Sequence, residues 1–156
     1  MNLDRKKDVV KIQNGEYVSL AKVEMSIKKL LLVDNCCVCA SDEYNHTVAL
    51  IVPNTKEISS YAKKHFNQDD WKQIANDEDF NDQIRRQIHD ACKTNGIQNY
   101  EIPKSILIVT EPWSPESGLV NDALKLKRKA IQQHYKQQIE QLYKGNIQQQ
   151  QDKKQK

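Results

Sequence analysis

The sequence predicts an α+β domain: a small sheet with an N-terminal β-hairpin and a central antiparallel pair, packed by helices. Three observations lead there. Asn14-Gly15, two residues that tolerate positive φ, separates the β-rich runs 9–12 and 16–18. Two apolar stretches, 33–40 and 47–52, flank a polar turn at 42–46. Elsewhere apolar residues recur at helical spacing, as in Phe80, Ile84, Ile88 and Cys92.

The elements follow in order. Val9, Val10 and Ile12 form a first strand, and Glu16-Tyr17-Val18 returns beside it. Ser19 is a candidate N-cap for a helix whose apolar face is Leu20, Val23, Ile27 and Leu30. Glu24 and its apolar neighbours are assigned to packing. The stretches 33–40 and 47–52 pair as antiparallel strands, the second stopped by Pro53. Ile58, Ala62 and Phe66 share one helical face, and Trp71, Ile74 and Ala75 mark a short segment. A longer helix through Phe80 and Cys92 ends at Asn95-Gly96. After Pro103, Ile106-Leu107-Ile108-Val109 is a compact strand, and Pro112, Pro115 and Gly118 mark an irregular loop. A last helix carries Ile131, Tyr135, Ile139 and Leu142 and closes at Lys144-Gly145-Asn146. Residues 146–156 are rich in Gln and Lys and are expected to be a disordered polar tail after a domain spanning 1–145.

Composition narrows the function. The chain has 156 residues, 38% hydrophobic and 29% charged, enough for one modest core. Its net charge of +3 comes from 24 basic and 21 acidic residues, with no interleaved aromatic platform, which argues against nucleic-acid binding. No apolar run approaches the roughly 20 residues of a membrane-spanning helix. Cys36, Cys37, Cys39 and Cys92 lack the repeated C-x-x-C spacing of a zinc site and read as small buried hydrophobes. No metal ligand set is expected. His46, His65, His89 and His134 show no triad spacing. The absence of a signal-peptide pattern suggests a reducing, cytoplasmic setting.

Two segments carry a family resemblance. The first is Asp4-Arg5-Lys6-Lys7-Asp8-Val9-Val10-Lys11-Ile12-Gln13-Asn14-Gly15-Glu16-Tyr17-Val18-Ser19-Leu20. The second is Glu111-Pro112-Trp113-Ser114-Pro115-Glu116-Ser117-Gly118-Leu119-Val120-Asn121-Asp122-Ala123-Leu124-Lys125-Leu126-Lys127-Arg128-Lys129. Together, in this order, they resemble the C-terminal domain of long-chain acyl-CoA synthetases, in the adenylate-forming superfamily. Val33-Asp34-Asn35 and Val52-Pro53-Asn54 are similar to the family too. The resemblance implies a two-step ligase. A fatty acid attacks ATP to give an acyl-adenylate and pyrophosphate, and coenzyme A then displaces AMP after the small domain swings.

The resemblance also implies roles for residues. Lys125 would be the catalytic lysine of adenylation, a flexible ammonium beside the developing negative charge. Lys127 is the competing position, because shorter family members carry a compact Ser-Gly-Lys, whereas Ser117-Gly118 lies well before Lys125 here. From the residues alone, Lys125 reads as one of a basic cluster at a helix entry; the resemblance reverses that. Arg5 would contact the ribose hydroxyls of the nucleotide through its planar fork. Lys7 would be the hinge, which needs backbone freedom. Lys11 would approach the site in the second conformation, and Asn14-Gly15 would line the pantetheine tunnel of coenzyme A, where glycine permits close backbone approach.

The same resemblance implies a partner. The family's large N-terminal domain holds the Gly- and Ser/Thr-rich phosphate loop, the acidic ligand for Mg2+ and the fatty-acid tunnel; this chain has four glycines and no such loop. ATP, coenzyme A and Mg2+ would be bound by the complete enzyme, in cis or across two chains, and any membrane association would come from the missing part. The chain by itself is expected to be inactive. An alternative is a non-catalytic interaction or regulatory module that reuses the fold.

Overall fold

The computed structural model describes the backbone of residues 8–154 and side chains through residue 145. Arg5 and Lys7 therefore lie outside the described residues. The N-terminal hairpin pairs β1 (Val9–Lys11) antiparallel with β2 (Tyr17–Ser19), with Val10 opposite Val18. Its turn uses Gly15 at φ +93°, a conformation in which a Cβ is strained. The Asn14 side chain accepts the Glu16 N–H at 3.0 Å and locks the turn.

Helix α1 (Leu20–Ile27) follows directly. Ser19 occupies its N-cap in extended conformation, but its side chain makes no capping bond. The central sheet has the order β3-β4-β5, with β3 at Val33–Cys39, β4 at Val48–Pro53 and β5 at Ser105–Ile108. β3 and β4 are antiparallel, as expected from their separation by a short turn. β4 and β5 are parallel, with Leu50 opposite Leu107. That parallel step needs a long crossover, which α2 (Thr55–Phe66) and α3 (Glu78–Thr94) supply. Asn54 and Asp77 cap these helices, accepting the N–H groups of Glu57 and Phe80.

The sheet is buried on both faces, and strand alternation sorts its side chains between two cores. Cys36, Val38, Ala49, Ile51, Ile106 and Ile108 join one core with Val23 and Ile27 of α1, Ile58 of α2 and Ile84 and Ile88 of α3. Cys37, Cys39, Val48, Leu50 and Val52 join the other with Trp113, Ile131 and Tyr143. Cys37 and Cys39 share a face, as the alternation requires. All four cysteines are buried and free.

The last helical pattern is divided. α4 (Arg128–His134) and α5 (Lys136–Lys154) meet at Tyr135, whose backbone is at φ −105°, ψ 22°. Tyr135 is buried, and its hydroxyl accepts the Trp113 indole N–H at 3.0 Å. The bend lets that ring fill the second core. Gly145 is not among the glycines with positive φ, so it does not act as a left-handed stop, and α5 runs on to Lys154. No helix among the described residues is long and apolar enough to cross a membrane.

Candidate functional site

Lys125 lies on a loop that rims a wide cleft of about 1360 Å³. Asp8, α1 through Ala21, Glu24, Met25 and Lys28, and the β3 segment Asp34-Asn35 form other parts of its lining. Chain direction alone does not place Lys125 there; the loop is built residue by residue. Val120 and Leu126 form an antiparallel bridge across it. Asn121 organises the tip. Its side-chain oxygen accepts the N–H groups of Ala123 at 2.8 Å and Lys125 at 3.0 Å. Its backbone N–H donates to the Lys125 carbonyl, and its carbonyl accepts the Leu124 N–H. The turn closes with Leu124 at φ +62°, a left-handed position costly for a side chain with a Cβ. The Lys127 N–H bonds the Leu119 carbonyl, completing the brace. Lys125 is exposed above this frame.

Arg128 closes the base of the loop. Its Nε donates to Asp8 Oδ1 at 2.9 Å, Nη1 to Glu24 Oε2 at 2.9 Å and Nη2 to Glu24 Oε1 at 2.6 Å. Burial disfavours the guanidinium charge, but the Glu24 hydrogen bonds and charge outweigh it and raise the pKa. Glu24 Oε2 also accepts the Val38 N–H at 2.8 Å, so the carboxylate serves as an extra partner for β3. The assignment of Glu24 to packing is therefore corrected: it is a buried charged anchor. A carboxylate on the apolar face of α1 was the signal that could have revealed it, since a buried charge requires a partner.

The other expected residues lie in the hairpin. Lys11 is exposed, with Nζ 6.0 Å from the centroid of the Tyr17 ring. Asn14 and Gly15 occupy the turn tip, and Tyr17 is 60% exposed. The hairpin loop is tied to the body by the Gln13 N–H, which donates to the Tyr44 carbonyl at 3.0 Å. Lys11, Asn14 and Gly15 do not line the Lys125 cleft. The structure thus groups Lys125 with Asp8 and Glu24, and groups Lys11 with the glycine turn.

The cysteine thiols are buried. Burial pushes the Cys36 and Cys92 thiols up, and the Cys37 thiol is raised by its hydrogen bond with Cys39 and by burial. Among the described residues no group of three or more His, Cys, Asp or Glu is placed to hold a metal.

Comparison with known proteins follows the same lines. Residues 7–146 match the model of the AMP-binding enzyme C-terminal domain. The chain is 36% identical over 142 residues to long chain acyl-CoA synthetase 8 of Arabidopsis thaliana, covering 90% of this chain and 20% of that protein. It is 31% identical to fatty acyl-CoA synthetase B of Dictyostelium discoideum, covering 90% of this chain and 21% of that protein. Among solved structures it resembles the adenylation domain of a carboxylate reductase from Mycobacterium chelonae, with a TM-score of 0.75 and 30% identity over 90% of this chain and 20% of the other. A similar match, with a TM-score of 0.75 and 26% identity over 90% of this chain and 20% of the other, is the A domain of a carboxylic acid reductase from Segniliparus rugosus in complex with AMP and a co-purified carboxylic acid. The chain spans about a fifth of the length of these relatives. It corresponds to the C-terminal part of a larger adenylation enzyme, and it belongs to the AMP-binding enzyme C-terminal domain family, with long-chain acyl-CoA synthetases among its curated relatives.

Proposed function

We propose that this chain is the mobile domain of a long-chain fatty acid–CoA ligase and that Lys125 acts in its adenylation step. The observation that carries this is the Lys125 loop: an exposed ammonium on a braced frame at the rim of a cleft. The left-handed Leu124 stands directly before Lys125, where a compact Ser-Gly-Lys has its glycine. That position favours Lys125 over Lys127.

In adenylation a fatty-acid oxygen bonds to the α-phosphorus of ATP and pyrophosphate leaves. Both nucleophile and leaving group are anionic. An ammonium reaching between them lowers their repulsion and stabilises the charge that moves onto the pyrophosphate oxygen. Lysine suits the task because its long stem carries a compact charge into a site built by another domain. In the second step the coenzyme A thiol bonds to the acyl carbon and AMP leaves. Lys11 and the Asn14-Gly15 turn are assigned to that step, Arg5 to the nucleotide ribose and Lys7 to the hinge. The separation of Lys11, Asn14 and Gly15 from the Lys125 cleft supports one face for each step. ATP, the fatty acid and Mg2+ belong to the large partner domain, and residues 1–145 form the functional unit here.

The test is Lys125→Ala in the complete enzyme, with the large domain supplied in cis or in trans. Acid-dependent exchange of pyrophosphate into ATP should fall by roughly 10² to 10³. Conversion of preformed acyl-adenylate and coenzyme A to acyl-CoA should be retained. Unchanged exchange would refute the role of Lys125 and leave Lys127, the competing position.

A further inference from the structure

We propose that Arg128 is the positioning residue of the Lys125 loop, coupling it to the segment that follows the hinge. The inference rests on the reading of Lys125 given above. Arg128 lies 120 residues from Asp8 and 104 from Glu24 in sequence, yet one guanidinium bonds both. Its contacts join three parts of the fold: the residue before β1, the buried face of α1 and the start of α4.

The geometry is restrictive. The pair with Glu24 uses two nitrogens and two oxygens, which sets orientation as well as distance. Glu24 is itself held by the Val38 N–H at 2.8 Å, so the fork is anchored to the sheet. The side chains of Arg128 and Glu24 are 19% and 8% exposed, so this pair is far from the weak surface kind. Lys125 stands three positions before Arg128. Between them, the Leu126–Val120 bridge and the Lys127–Leu119 hydrogen bond leave little slack. Anchoring Arg128 therefore anchors the lysine.

The Asp8 contact gives the clamp its second end. Asp8 directly follows Lys7, the assigned hinge. The ion pair thus ties the lysine loop directly to the residue that follows the hinge, in addition to the packing of the domain. A displacement of about 1 Å at a reacting group can cost roughly 10²-fold in rate, so such registration matters for the step that Lys125 serves. It matters little for the step served by the hairpin.

Two variants in the complete enzyme test this. Arg128→Lys keeps the charge and loses the planar fork. Asp8→Asn weakens only the hinge-side contact. Arg128→Lys should lower kcat for acyl-adenylate formation about tenfold or more, with KM for ATP within about twofold. Acyl-CoA formation from preformed acyl-adenylate should stay within about twofold. Asp8→Asn should show the same pattern, smaller in size. Both half-reactions are read on one preparation, so their ratio does not depend on how much protein folds. Equal losses in both half-reactions, or no loss in the first, would overturn the role of Arg128. If that occurs while Lys125→Ala abolishes adenylation, only the Arg128 inference falls. If Lys125→Ala leaves adenylation intact, the catalytic reading fails and takes the Arg128 inference with it.

Discussion

Glu24 lies on the buried stripe of α1 with Leu20, Val23 and Ile27. There an unpaired carboxylate would cost several kcal/mol, so its presence demands a cation. The helical spacing shows that demand in the sequence. It does not show which cation answers, because Arg128 is 104 residues away. The cysteines pose the reverse case. Their sequence context reads as small buried hydrophobes, and all four are buried. With their pKa values raised, Cys36, Cys37 and Cys92 should be almost wholly protonated at neutral pH. Native protein treated with iodoacetamide should therefore retain these three thiols, and all should react once guanidinium unfolds the chain. Rapid alkylation of any of the three in the native state would contradict the buried environment described above.

Helix α5 docks through an aromatic cluster. The Tyr143 ring stacks on Tyr44 with centroids 4.1 Å apart, and His46 lies 5.2 Å from Tyr143. The Tyr143 hydroxyl donates to the Cys39 carbonyl at 3.0 Å, tying the helix to β3. His46 is buried, and its Nε2 has no hydrogen-bond partner among the described residues. Burial and, secondarily, the nearby Lys104 charge lower its pKa below the ordinary 6.5. A lowered native pKa means that the unfolded chain binds the proton more readily. The contribution of neutral His46 is present above about pH 6.5 and is lost as pH falls through the lower native value. Urea denaturation between about pH 7 and pH 5 should show stability falling, and His46→Gln should flatten that slope. A slope unchanged by the substitution would assign it to other groups. The division of α4 from α5 at Tyr135 belongs to this scale too. Its spacing reads as one continuous helix, and only the Trp113 contact calls for the bend.

At the scale of the molecule, the two-sided burial of the central sheet puts helices of the crossover on one face and α4 with α5 on the other. The Lys125 loop is the connection between the last strand and those two helices, so it projects from the edge of a packed body. Such a loop supplies one charged group to a site whose remaining parts are expected elsewhere. The chain alone should therefore form no acyl-CoA from palmitate, ATP and coenzyme A. Adding a matched large domain should restore product. Palmitoyl-CoA made by the isolated chain would overturn the division of labour.

Most of the element order was readable from local signals, because turns, caps and periodicity act over a few residues. Asn14-Gly15 specified the hairpin, the spacing from Phe80 to Cys92 specified α3, and the two apolar stretches specified the β3–β4 pair. The motifs at both ends were likewise sufficient to place the chain in its family. Tertiary structure decided what depends on distant neighbours: the parallel pairing of β5 with β4, the bend at Tyr135 and the brace around Lys125. Above all it decided the Asp8–Arg128–Glu24 clamp. The physical reason is that periodicity reports which face of an element is buried. It carries no record of which charge, 104 or 120 residues away, will meet that face once the chain is packed.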